Sequence, residues 1–147
     1  TYVFTPFLNF ANYQLPSWAG WIGTTIFGVA LWLLWRTHAD LGKNWSETLE
    51  LRQGHRLVTS GIYQYVRHPM YAAFLVWGVA QPLLLHNWLA GWSHLVAFLP
   101  LYFLRVQREE QMMREQFGEA YQSYMERTGR VIPRWFRKQS LKQRTGR

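Results

Sequence analysis

Residues 1–35 and 68–104 carry no formal charge, whereas all sixteen Lys and Arg and all eight Asp and Glu fall within residues 36–67 and 105–147. A bilayer imposes this kind of partition, because ionised side chains are expensive in hydrocarbon and gather at its borders. Residues 18–35 form one apolar run of 18. As a helix rising 1.5 Å per residue it would be about 27 Å long, close to the hydrocarbon thickness. Trp18 and Trp21 stand at one end and Trp32 and Trp35 at the other, so their indoles can occupy both interfacial belts with the N–H groups wet. The alternative, the buried core helix of a soluble protein, is disfavoured by the length and the complete lack of charge.

Residues 69–104 add 36 uncharged positions, interrupted near the middle by His86 and Asn87. That is too long for one span and predicts a helical hairpin, with spans at 69–85 and 88–104. Pro69 suits the first turn of the first helix, where a missing N–H costs nothing, and Trp88 and Trp92 would anchor the second. Pro82 and Pro100 predict kinks rather than breaks. Residues 105–126 continue with good helix formers and predict an amphipathic helix at, or rising from, the membrane surface. Its apolar stripe is Val106, Met113, Phe117, Tyr121 and Tyr124, in steps of three and four. Glu110 falls within that stripe, and a carboxylate on an apolar face needs a partner. The predicted fold is therefore all-α: a single integral membrane domain with about three transmembrane helices, including a C-terminal helical hairpin followed by a cytoplasmic amphipathic helix.

Charge adds an orientation. Three spans beginning at residue 18 put residues 36–67 and everything after 105 on one side, with five and eleven Lys and Arg respectively. The positive-inside rule makes that side cytoplasmic. The net charge of +8 does not point to nucleic acid, because the basic residues flank the spans. Residues 127–147 read as a juxtamembrane polybasic segment whose natural partner is anionic membrane lipid. Residues 2–10 are aromatic and apolar but too short to span, which leaves open whether another span precedes them. No secretory signal, internal repeat or low-complexity linker is present.

The absence of cysteine removes disulfides, thiolate nucleophiles and Cys-based metal sites from consideration. The five His have no HExxH or comparable spacing, so no metal is expected, and no phosphate-binding glycine loop or nucleophile elbow is found.

What remains is the stretch HRLVTSGIYQYVRHPMY at 55–71. A Pro-started helix entering a membrane needs a basic anchor and an aromatic or two, and this one has a preceding Gly turn, an Arg67-His68 pair and Tyr63, Tyr65 and Tyr71. The excess suggests a polar ligand at the membrane surface, against the simpler reading of a helix start with interfacial anchors. After the hairpin, Arg105 and Glu109 lie one turn apart. They fit either an exposed ion pair, worth about 0.3 to 0.5 kcal/mol, or a cation and an anion presented to one ligand. The hairpin itself would bring the two clusters together on the cytoplasmic face.

Together with REE at 108–110, FGEAYQSYMERTGRVIP at 117–133 and LGKNWS at 41–46, that stretch resembles the isoprenylcysteine carboxyl methyltransferase family, and in part the related phospholipid methyltransferases. The resemblance covers roughly residues 41–133. It implies an integral membrane enzyme that uses S-adenosyl-L-methionine, with the cofactor enclosed between residues 55–71 and 105–126. By motif position, His55, Arg56, Leu57, Val58, Gly61, Tyr63, His68, Pro69, Met70 and Tyr71 would line the cofactor site. The family's acidic run is reduced here to Glu109 and Glu110, and either would serve the cofactor. Arg105 would face the methyl acceptor, with Arg67 as a second catalytic candidate.

The residue types suit that cofactor. Its ribose diol can donate to a carboxylate, its carboxylate suits His or backbone N–H donors, its adenine suits a Tyr face, and its sulfonium favours electron-rich surroundings. Methyl transfer is an in-line displacement at carbon, so catalysis should come mostly from holding the two reactants together. A carboxylate acceptor is already a nucleophile at pH 7 and needs only a cation to orient it. That favours carboxyl O-methylation of a lipophilic acceptor of the prenylcysteine type. Arginine also binds phosphate, so amine methylation of a phospholipid is the alternative. A noncatalytic lipid-binding membrane module is the alternative of another class, and it predicts no cofactor binding.

Overall fold

A computed structural model of the chain describes residues 6–42 and 57–134. Its framework is three α-helices: α1 (Ser17–Leu41), α2 (Pro69–Leu85) and α3 (Trp88–Arg127). Two short 3-10 turns, Pro6–Ala11 and Gly61–Gln64, precede α1 and α2. Helices α1 and α3 are each long and apolar enough to cross a membrane, and only 17% of the most apolar window of each is buried. A soluble core helix would be mostly covered. Here Trp18, Trp21, Trp32 and Trp35 of α1 and Leu101, Phe103 and Leu104 of α3 all face outward.

Threonine hydroxyls on α1 bond within the helix, as a medium without water favours. Thr24, Thr25 and Thr37 each donate to the carbonyl four residues back, at 2.9, 2.9 and 2.8 Å. Small residues let the helices approach. A Cβ on Gly23 of α1 would lie 3.0 Å from Leu83 Cβ, and one on Gly91 of α3 would lie 2.8 Å from Pro82 Cα. This is the small-residue packing typical of helices in lipid. Between α2 and α3 runs an aromatic ladder, with Trp77 on His94 at 5.2 Å, His94 on Phe98 at 5.7 Å and Tyr71 edge-on to Tyr102 at 5.3 Å.

The hairpin turn falls where the sequence predicts it. His86 takes a left-handed conformation (φ 48) after α2, and the Asn87 side chain caps α3 by accepting from the Leu89 and Ala90 amides. The same side chain donates to Leu8 O and Asn12 Oδ1, both at 2.7 Å. Tyr13 donates through its hydroxyl to Pro82 O. The segment before α1 is thereby fastened to the turn.

Two expectations change. Residues 105–126 are the continuation of α3 and not a separate helix after the hairpin: nothing between Leu104 and Val106 breaks the hydrogen-bonding ladder, and the residues that follow are strong helix formers. Pro82 and Pro100 both lie inside helices without breaking them, and α3 has a further kink at Gly118 (φ 50, ψ −125). That conformation is accessible to glycine without steric cost. Helix α1 likewise runs past residue 35 to Leu41, and an Arg36–Asp40 ion pair at 3.0 Å spans its last turn.

Candidate functional site

At the end of the bundle away from the Asn87 turn, three attachments position the segment that leads into α2. The Asp40 carboxylate at the end of α1 accepts from the Ile62 amide at 2.7 Å. Gly61 beside it has φ +61, and a Cβ there would overlap the Asp40 carboxylate, so this position requires glycine on two counts. From α3, Tyr124 donates through its hydroxyl to Tyr63 O at 2.6 Å. Finally, residues beyond α3 pair with the strand-like stretch before α2. Gly129 N donates to Tyr65 O at 3.2 Å, Arg67 N to Gly129 O at 2.9 Å and His68 N to Arg130 O at 2.9 Å.

These attachments bring together four of the residues singled out from sequence. Tyr71 donates to Glu109 Oε1 at 2.6 Å, and Arg105 Nε lies 3.4 Å from the same oxygen. His68 Nδ1 is 3.6 Å from Glu109 Oε2, and its ring stacks on Tyr71 at 5.5 Å. The Glu109 side chain keeps 21% of its surface exposed and that of Arg105 keeps 50%. Both therefore remain open to a ligand.

Glu110, one residue further along α3, is committed elsewhere. It is 1% exposed. Arg67 donates to its Oε1 through Nε at 3.3 Å and Nη2 at 3.1 Å. Arg130 donates through Nε to Oε1 at 3.0 Å and through Nη2 to Oε2 at 2.5 Å. Burial alone would raise the Glu110 pKa, but His68, Arg130 and Arg67 around it prevail and hold the carboxyl well below the usual carboxylate range. The remaining Arg67 nitrogen donates to Met125 O at 3.2 Å and Thr128 O at 2.7 Å. One polar atom is left over: His68 Nε2 is buried, 3.4 Å from Glu110 Oε1, without an aligned hydrogen bond.

Of the other residues expected here, Pro69 is the buried first residue of α2, Met70 is half-buried, and Tyr63 is buried with its phenol pKa raised by burial and by Asp40. Leu57 and Val58 are half-buried. His55 and Arg56 lie outside the described residues. Sequence reasoning missed Asp40 and Arg130. The signals were present: a carboxylate in the apolar stripe demands a cation, and Arg130 sits in the 117–133 motif that also supplied the resemblance.

Lipid-facing helices with one polar cluster at the mouth of a hairpin define a helical membrane protein. The family model for the isoprenylcysteine carboxyl methyltransferase family matches residues 13–115, and the chain belongs to that family. It is 31% identical over 94 residues to protein-S-isoprenylcysteine O-methyltransferase B of Arabidopsis thaliana, covering 63% of this chain and 48% of the relative. The Dictyostelium discoideum protein-S-isoprenylcysteine O-methyltransferase is 36% identical, over 57% of this chain and 35% of its own length. The human one is 30% identical, over 63% and 33%. The chain thus spans half or less of the length of these relatives. Its fold is similar to that of a eukaryotic intramembrane Ras methyltransferase, an isoprenylcysteine carboxyl methyltransferase, with a TM-score of 0.72 and 28% identity over 79% of this chain and 42% of the other.

Proposed function

We propose that this chain carries the reacting centre of an S-adenosyl-L-methionine-dependent membrane methyltransferase that esterifies a lipophilic carboxylate of the isoprenylcysteine type. The observation that carries the reading is the convergence of His68, Tyr71 and Arg105 on a partly open Glu109, in a chain of this family. When bound, S-adenosyl-L-methionine supplies a methyl group on a positively charged sulfur. Glu109 accepts from the ribose hydroxyls, and His68, whose Nδ1 lies 3.6 Å from Glu109, offers a donor or acceptor beside it. Tyr71, stacked on His68, presents an aromatic face and holds Glu109 in place through its hydroxyl. The half-exposed Arg105 orients the acceptor carboxylate, which needs no general base because it is ionised at neutral pH. The rate enhancement then comes from proximity and alignment. Arg67 acts behind the site and touches neither reactant.

The helices serve as three spans, at residues 18–35, 69–85 and 88–104, with the site on the cytoplasmic side, a reading that the distribution of Lys and Arg supports. The charged remainder of α3 extends past the bilayer.

The test is transfer of labelled methyl from S-adenosyl-L-methionine in detergent or proteoliposomes, offering a prenylcysteine and phosphatidylethanolamine in parallel. A carboxyl methyl ester releases its label as methanol in base, whereas a methylated amine retains it. Base-labile label on the prenylcysteine supports the proposal, base-stable label on the phospholipid replaces it with the amine chemistry, and no transfer to either opposes both.

A further inference from the structure

We infer that Arg130 and Glu110 form a latch that positions the cofactor-facing residues without touching the ligand. This rests on the functional reading above and adds a residue, Arg130, that neither the motif assignment nor the hairpin accounts for.

Arg130 holds the site twice. Its guanidinium grips Glu110 with two nitrogens, at 3.0 and 2.5 Å. Its carbonyl accepts from the His68 amide at 2.9 Å. Glu110 is bonded to Glu109 along the chain, and Arg67, the other cation on Glu110, is bonded to His68. Each of the two residues that face the proposed ligand therefore has an immediate neighbour in the latch, and the same arginine reaches both sides. A planar two-nitrogen grip on a carboxylate fixes direction as well as distance. The connection is long in sequence, 20 residues from Glu110 to Arg130. It closes because the chain kinks at Gly118 and because the Thr128 hydroxyl bonds to Tyr124 O at 2.6 Å as α3 ends.

The Glu110 carboxylate has no surface left for a ligand, being 1% exposed and bonded by both arginines. The Arg130 side chain is 44% exposed, yet it points at Glu110 and not at Glu109. Small displacements are enough to matter, since a shift of about 1 Å in a positioning group can cost up to a hundredfold in turnover efficiency. Loss of the latch should loosen His68 and Glu109 while leaving their chemistry intact.

The experiment measures S-adenosylhomocysteine binding and methyl-transfer kinetics for wild type, Arg130→Ala and Arg130→Lys in the same detergent, with hydrogen exchange at the Arg67 and His68 amides followed in each. The partly exposed Arg130 side chain makes its substitutions milder than those of the buried Glu110. Arg130→Ala should raise the Kd and the cofactor KM about tenfold with kcat at saturating cofactor nearly retained, and Arg130→Lys should fall between, having the charge without the fork. Unchanged affinity in Arg130→Ala overturns the latch, and so does a loss of kcat at unchanged affinity, which would put Arg130 at the reacting groups. If wild type itself binds no S-adenosylhomocysteine, the functional reading fails and hydrogen exchange decides the latch alone. Faster exchange at the Arg67 and His68 amides in Arg130→Ala then upholds it, and equal exchange overturns it.

Discussion

Glu109 and Glu110 are adjacent and chemically identical, yet the structure makes their substitutions separable. Glu110→Ala would strand Arg67, whose side chain is 9% exposed, with two backbone carbonyls as its remaining acceptors. Breaking a buried pair from one side costs about 3 to 5 kcal/mol. The lower end applies because Arg67 keeps those two carbonyls and because Arg130, 44% exposed, can turn to water. A loss of about 3 kcal/mol follows. Glu109→Ala removes one hydroxyl hydrogen bond from Tyr71 and a half-exposed pair with Arg105, together about 1 kcal/mol. For a chain of about this length, 1 kcal/mol moves Tm by about 2 to 4 °C, so the expected shifts are about 6 to 12 °C and about 2 to 4 °C. Thermal unfolding in detergent, followed by the fluorescence of the nine Trp, measures both. Ligand binding should rank the pair in the opposite sense, with Glu109→Ala losing it outright. Equal Tm shifts, or a larger one for Glu109→Ala, would refute the assignment of a structural role to Glu110 and an open one to Glu109.

Other outcomes follow from the same contacts. Gly61→Ala forces a left-handed residue and a clash with Asp40, and it should lower stability by about 2 kcal/mol in the same thermal assay; an unchanged Tm would mean that the Asp40–Ile62 attachment is dispensable. Tyr124→Phe deletes only the hydroxyl bonded to Tyr63 O and should cost about 1 kcal/mol, read by the same assay. The pKa of Glu110 is depressed below its ordinary 4.5, so its stabilisation is fully present above that value and is lost as pH falls through the lower folded pKa. Glu110→Gln should accordingly flatten the acid limb of a stability–pH profile, and an acid slope equal to wild type would contradict the linkage. Arg105→Ala should raise the acceptor KM while S-adenosylhomocysteine affinity is kept, and equal loss of both would defeat the acceptor-facing role.

The segregation of charge made the apolar helices legible, because lipid exposure leaves a composition signal on every face of a helix. The hairpin turn was legible too, since His86 and Asn87 break an otherwise uniform run. The boundary after residue 104 was not, because a helix can run from an apolar into a charged stretch without any change in backbone preference, and α3 does so until Gly118. The candidate site divides in the same way. The convergence of His68 and Tyr71 with Arg105 and Glu109 could be anticipated from the hairpin alone. Which Glu stays open could not, because neighbouring helix positions point about 100° apart and a one-residue error in the phase of the stripe exchanges them. Arg130 escaped notice because its partner lies across the kink, and Asp40 because its function depends on a glycine 21 positions later.

The most direct test of the account is calorimetric titration of S-adenosylhomocysteine into detergent-purified wild type, His68→Ala and Glu109→Ala, each first verified as folded. The account predicts saturable binding to wild type that both substitutions abolish. Folded wild type that binds nothing, or variants that bind as tightly as wild type, would contradict it.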